Sequence, residues 1–194
     1  MLSSSIEFLL NNELITINDA NTNTTVLEYL RNYKNLKGTK EGCASGDCGA
    51  CTAVIAEMKN NKLKYKSINT CITLLYSLHS KQLLTVEYIE SKYLHPVQQS
   101  MVDNDGAQCG FCTPGFIMSM YAMHKNKIRP TESNINRYLS GNLCRCTGYR
   151  PIKEALKNLK KYKNLESDTS KVFRKLKKIK LNDVVVGNNE TKFF

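Results

Sequence analysis

Eight cysteines in two unlike sets restrict this chain more than any other feature. The first set is Cys43-x4-Cys48-x2-Cys51, with Cys71 following after nineteen residues. The second is Cys109-x2-Cys112 with Cys144-x-Cys146. Eight cysteines in 194 residues are too sparse for a disulfide scaffold, where cysteine exceeds about 8–10% of the chain. The N-terminus, Met1-Leu-Ser-Ser-Ser-Ile-Glu7, has neither the basic start nor the apolar core of a secretion signal. A cytoplasmic, reducing setting is therefore expected, in which thiols stay reduced. Clustered thiols in that setting point to metal, and the fold must bring Cys71 back to a loop twenty residues behind it.

The C-x4-C-x2-C order with a distant fourth cysteine is the spacing of plant-type 2Fe–2S ferredoxins. Each iron of such a cluster is tetrahedral, with two bridging sulfides and two thiolates. A short loop presents three sulfurs on one side and a remote residue closes the other. Gly42, Gly46 and Gly49 interleave the thiols, so backbone N–H groups can approach sulfur closely. A structural zinc site favours two C-x2–4-C pairs and fits this set less well. From spacing alone, the second set stays open between zinc, a redox thiol pair and a second 2Fe–2S cluster. Pro114-Gly115 and Gly141-Asn-Leu143 place both of its pairs at helix-start turns, where the positive helix end favours thiolates.

Two patterns of hydrophobicity divide the chain. Through residue 90 it alternates as strands do, around one helix. Ile6–Leu10 and Leu14–Ile17 are β-prone runs joined at Asn11-Asn12. Thr24 or Thr25 caps a helix carrying Val26, Leu27 and Leu30. Thr52–Met58 and Leu63–Ser67 read as a second hairpin across Lys59–Lys62, Thr70–His79 as a short helix and Leu83–Tyr88 as a closing strand. From residue 91 to 163 the period is 3.6. Val97, Met101 and Val102 form a first stripe; Pro114 opens a second helix through Met123; Thr131 precedes Ile135, Tyr138 and Leu139; Ile152, Ala155, Leu156 and Leu159 form the fourth. Residues 164–194 read as a basic linker, with a short helix presenting Val172, Phe173, Leu176 and Ile179, followed by Val184-Val-Val186. The expected fold is α+β, with a ferredoxin-like β-grasp domain (1–90) that holds a 2Fe–2S cluster ahead of an all-α four-helix domain (91–163) that carries the second set of thiols.

The run Gly38–Cys51 resembles the first cluster loop of the molybdenum hydroxylases. Gln108-Cys-Gly-Phe-Cys-Thr-Pro-Gly-Phe116 and Gly141-Asn-Leu-Cys-Arg-Cys-Thr-Gly-Tyr149 resemble their second cluster motif, and Leu94-His-Pro-Val-Gln98 the start of the same helical domain. The likeness spans roughly residues 6–160. It implies that Cys43, Cys48, Cys51 and Cys71 ligate the cluster nearer the flavin. By the same likeness Cys109, Cys112, Cys144 and Cys146 ligate the cluster nearer molybdopterin, and Gln108 and Cys146 lie on the pterin side. Electrons would run from a molybdopterin-binding large subunit through both clusters to FAD, bound in cis or by a partner, and on to NAD. The tail beyond residue 164 resembles the lead-in to a flavin domain, as in the small subunit of the xanthine dehydrogenase group, so the chain reads as a truncated or domain-split version. Tyr88 departs from the family, which commonly has Gly there. An aldehyde or N-heterocycle hydroxylase is the nearest alternative.

Charge argues against other classes. The chain is +11 overall, but residues 151–181 carry 11 Lys/Arg against 3 Asp/Glu while residues 1–150 are nearly balanced. A basic strip confined to one late segment does not make a nucleic-acid-binding body. A metal-based nucleic-acid sensor or zinc scaffold is therefore the weaker alternative, and a solvated linker face or a docking strip the stronger one. No apolar run reaches the ~18–20 residues of a membrane span, and no phosphate-binding loop or Ser/His/Asp arrangement is present. His79, His95 and His124 do not stand at ligand spacing, and Met118, Met120 and Met123 read as core.

Overall fold

The computed structural model describes residues 5–18, 21–89, 93–162 and 169–179. Ile6–Leu10 (β1) and Glu13–Ile17 (β2) form the first hairpin, with Asn11 taking φ 58° at its turn. Thr52–Lys59 (β3) and Lys62–Asn69 (β4) form the second. Asn60 and Asn61 both have positive φ, which suits the right-handed strand twist. Gln82–Leu84 (β5) lies parallel to β1 and antiparallel to β3, giving the mixed sheet order β2-β1-β5-β3-β4.

The period-2 pattern assigns each face of the sheet a cover. Phe8, Leu10, Ile55 and Leu83 pack on one side against Val26, Leu30, Leu75 and Leu78. The helix over that side is Val26–Glu28 (α1), continued by a π turn at Tyr29–Tyr33; Thr25 caps it by accepting from the Glu28 N–H. On the other side Val54, Ala56, Tyr65 and Leu84 join the helical core. That core is built from Pro96–Asp103 (α2), Thr113–Lys125 (α3), Glu132–Leu139 (α4) and Arg150–Asn158 (α5), the four expected helices. Pro114 sits in the first turn of α3, Thr131 caps α4, and Met118, Met120 and Met123 are buried.

Several expected elements come out differently, each through a long-range contact. Residues 70–79 are not one helix: Leu74 bridges Thr25 in extended form, and only Leu75–Leu78 winds, as a 3-10 turn. The closing strand stops at Leu84, because the Thr85 N–H goes to the Asn11 side chain and a turn brings the Tyr88 N–H back to the Thr85 carbonyl. Val102 does not share the stripe of Val97 and Met101; it is 61% exposed. Ser170–Ile179 (α6) is more than a linker helix. Leu176 and Ile179 are buried against Leu9 and Met58, and Lys175 donates to the Asn12 carbonyl, so α6 covers the part of the sheet that α3 leaves open. Val184–Val186 and the end of the tail lie outside the described residues. No helix among the described residues is long and apolar enough to cross a membrane.

Candidate metal centres

The loop between the π turn and β3 carries three thiols, and the turn after β4 brings the fourth. Cys51 is buried at the entrance of β3, and its Sγ lies 3.4 Å from that of Cys71. Thr70, next to Cys71, is anchored by its hydroxyl to the Cys51 carbonyl at 2.7 Å. The other two thiols form a second pair. Cys43 Sγ accepts from the N–H groups of Ser45 (3.5 Å), Asp47 (3.3 Å) and Cys48 (3.3 Å), and Cys48 Sγ accepts from the Cys43 N–H at 3.3 Å. Four backbone donors thus converge on two sulfurs, a nest of the kind that holds anionic centres. The same bonds act on acidity. Hydrogen bonds from Ser45 and from the Cys48 N–H pull Cys43 down to about 6, whereas burial and then the neighbouring Cys51 push Cys71 up to about 11.

The second set also meets in twos. Cys112, at the start of α3, pairs with Cys144, and Cys109 pairs with Cys146. Burial and then Cys144 push Cys112 up to about 12. Thr147 gives Cys144 Sγ both a hydroxyl contact at 3.1 Å and an N–H at 3.5 Å. Cys109, Phe111, Cys112, Leu143 and Cys144 line an open cavity of about 400 Å³. Gln108, Cys109 and Cys146 are exposed at this end. Among the described residues no three His, Cys, Asp or Glu side chains gather as donors to one ion, and the Thr113 hydroxyl beside Cys112 is buried without a partner. Paired sulfurs, converging N–H groups and a spare hydroxyl fit a two-metal sulfur cluster better than a mononuclear ion.

Sequence reading missed two residues that shape this region. Tyr149 adopts φ +68°, unusual for a bulky side chain, because its hydroxyl reaches back to accept the Cys144 N–H at 3.0 Å while its ring packs on Phe116. Asn142 is 3% exposed and bonded to Gly49, Thr52 and Ser119. Their signal lay inside the quoted Gly141–Tyr149 run, but nothing local showed what they would touch. Gly49 sits tightly against the second set: a Cβ there would fall 2.2 Å from the Gly141 carbonyl oxygen. Although His95 and His124 are distant in sequence, their rings meet edge-on at 5.3 Å, beside Tyr121.

Two family models match in succession, a 2Fe-2S iron-sulfur cluster binding domain over residues 8–76 and a [2Fe-2S] binding domain over residues 85–157. The xanthine dehydrogenase/oxidase of Mus musculus is 46% identical over 157 residues, which is 79% of this chain and 12% of that protein. The xanthine dehydrogenase of Emericella nidulans is 46% identical over 154 residues, 78% of this chain and 11% of that one. This chain therefore spans about one-eighth of the length of such relatives. Among solved structures, quinoline 2-oxidoreductase from Pseudomonas putida 86 aligns with TM-score 0.68 and 25% identity, over 92% of this chain and 98% of the matched chain. The aldehyde oxidoreductase from Desulfovibrio gigas aligns with TM-score 0.69 and 29% identity, over 80% of this chain and 16% of that one. With both domain models in order and this identity to their N-terminal regions, the chain belongs to the iron–sulfur part of the molybdenum hydroxylases.

Proposed function

We propose that this chain is the electron-transfer part of a xanthine dehydrogenase-type molybdenum hydroxylase. Cys43, Cys48, Cys51 and Cys71 hold one 2Fe–2S cluster in this reading, and Cys109, Cys112, Cys144 and Cys146 hold the other. The observation that carries it is the two-by-two meeting of the sulfurs in both sets. One tetrahedral zinc needs four sulfurs around a single point, whereas two bridged irons need two pairs. When bound, the clusters supply one-electron redox chemistry. The residues of this chain fix the thiols and aim N–H groups at Cys43 and Cys48, which stabilises negative charge on sulfur.

The exposed end with Gln108 and Cys146 faces molybdopterin in a large subunit, and the Gln108 amide has both a donor and an acceptor for a pterin edge. The first set faces FAD, in an adjoining domain or a partner chain. Substrate oxidation, and with it any catalytic acid or base, belongs to the molybdenum-binding partner. A cytoplasmic location is part of the same reading. A second reading keeps the relay but gives it to an aldehyde or N-heterocycle hydroxylase, favoured by the likeness to the quinoline and aldehyde oxidoreductases.

Anaerobic purification with iron and zinc analysis and a visible spectrum tests the proposal. About four irons per chain and a brown colour are expected of two clusters. About two irons would remove the helical cluster from the reading. Zinc without colour would overturn it. The molybdenum chain that co-purifies, and the substrate it oxidises, separates the two readings.

A further inference from the structure

Asn142 belongs to neither set of thiols, yet it is the buried side chain that touches the surroundings of both. Its Nδ2 donates to the Gly49 carbonyl at 3.0 Å and to the Thr52 hydroxyl at 3.1 Å, and its Oδ1 accepts from the Ser119 hydroxyl at 2.6 Å. The amide orientation follows from chemistry, because the Gly49 carbonyl can only accept and must therefore face the NH2 group. One side chain thus joins the first thiol loop, the start of β3 and the middle of α3. Beside it the Leu143 N–H donates to the Cys48 carbonyl at 2.9 Å. Cys48 carries a first-set thiol and Leu143 directly precedes Cys144, so this bond links the backbones of the two sets.

What holds that bond in place is not Leu143 itself, whose side chain is 55% exposed and gives the segment little apolar anchorage. The surrounding backbone is tight. A Cβ at Gly49 would lie 2.2 Å from the Gly141 oxygen, and one at Gly115 would lie 2.3 Å from the Gly49 oxygen. Backbone packed this closely has a definite position only while its polar groups stay matched: Thr52 meets the Gly49 carbonyl through its hydroxyl at 2.7 Å and its N–H at 3.1 Å, and Asn142 ties that pair to α3 through Ser119.

We propose that Asn142 is a positioning residue: it fixes the separation and orientation of the two cysteine sites by holding the Leu143 N–H on the Cys48 carbonyl. The inference rests on the two-cluster reading above. Interaction between two paramagnetic or redox centres falls steeply with distance, so a side chain that contacts neither set of sulfurs governs how strongly the two sites interact.

The test uses the full chain, purified anaerobically with its iron, as wild type, Asn142→Ala and Ser119→Ala. Three quantities are read: iron per chain, amide exchange at Leu143, and the splitting between centres in the low-temperature electron paramagnetic resonance spectrum of the fully reduced protein. Asn142→Ala should retain its iron, exchange the Leu143 amide faster and lose splitting; Ser119→Ala, which removes only the brace on Oδ1, should shift both in the same direction by less. Unchanged splitting and Leu143 exchange in an Asn142→Ala protein that keeps its iron would overturn the inference. Should Asn142→Ala lose its iron, unchanged values in Ser119→Ala would overturn it equally. A wild-type chain without two clusters would sink the two-cluster reading instead, and the Leu143 exchange comparison would still decide whether Asn142 holds the bond.

Discussion

Alanine at Gly49 should destabilise this protein far more than alanine at Gly110, although the two glycines look alike locally. Each adjoins a thiol residue, and each has a left-handed backbone, with φ +70° at Gly49 and +82° at Gly110. Each substitution therefore carries the same conformational penalty, about 1–2 kcal/mol for an L-residue in that region. Their surroundings differ. A methyl group at Gly110 meets nothing within 4 Å, while one at Gly49 falls 2.2 Å from the Gly141 carbonyl oxygen and 2.6 Å from Asn142 Nδ2. Reaching ordinary contact requires the segments to part by roughly 1 Å. That stretches the 3.0 Å bond from Asn142 Nδ2 to the Gly49 carbonyl out of range; the carbonyl keeps its bonds from Thr52, but one N–H of the buried Asn142 amide is left unmatched. Each such group costs about 1–3 kcal/mol. The expected totals are about 2–5 kcal/mol for Gly49→Ala and about 1–2 kcal/mol for Gly110→Ala. Against a usual stability of about 5–15 kcal/mol, the first is a large fraction and the second is tolerable. Urea titration of the full chain followed by circular dichroism, with visible absorbance tracking the clusters, reads the difference. Equal midpoints for the two variants would refute the argument that the contact between the sites, and not glycine's backbone freedom, makes Gly49 necessary.

Tyr149→Phe removes the acceptor of the Cys144 N–H and should cost about 1 kcal/mol; an unchanged denaturation midpoint would show that the hydroxyl does not hold that turn. Leu176→Ala should cost about 2–5 kcal/mol, because this α6 side chain is fully buried against the sheet, whereas a helix in a free linker would show no loss in the same titration. His95 gives a pH dependence. Burial, then His124 and Lys125, hold it down to about 3, and its Nδ1 must stay unprotonated to accept the Val97 N–H. The unfolded chain binds that proton below about pH 6.5 while the folded chain does not, so stability is full above that pH and falls on acidification by up to about 1.4 kcal/mol per unit, until about pH 3. His95→Asn keeps a capping oxygen and should flatten the slope between about pH 7 and 5.5, measured as the change in midpoint with pH.

Local chemistry was readable in one dimension. The asparagine pairs at the hairpins, Thr25 and Thr131 as caps and Pro114 in a first helical turn all act on neighbours a few residues away, and all stand where the sequence places them. The misread elements have the opposite cause. Thr70–His79 has the composition of a helix, but Leu74 is drawn into a bridge with Thr25, almost fifty residues earlier. Val102 repeats with Met101 in the pattern, yet the four-helix packing leaves no neighbour over it.

The candidate sites divide in the same way. Thiol spacing by itself determined that Cys43, Cys48 and Cys51 belong together, because three sulfurs within nine residues of a glycine-rich loop are close in any compact conformation. Only the tertiary structure decided how the two sets stand to each other. That relation depends on the Leu143–Cys48 bond, the fit of Gly49 against Gly141, and Asn142 spanning from β3 to α3. Tertiary structure also decided that a late helix folds back over Leu9, which a linker-like, lysine-rich segment does not announce. Contacts between residues about ninety apart arise from packing of whole elements, and a single chain's local pattern carries no term for them.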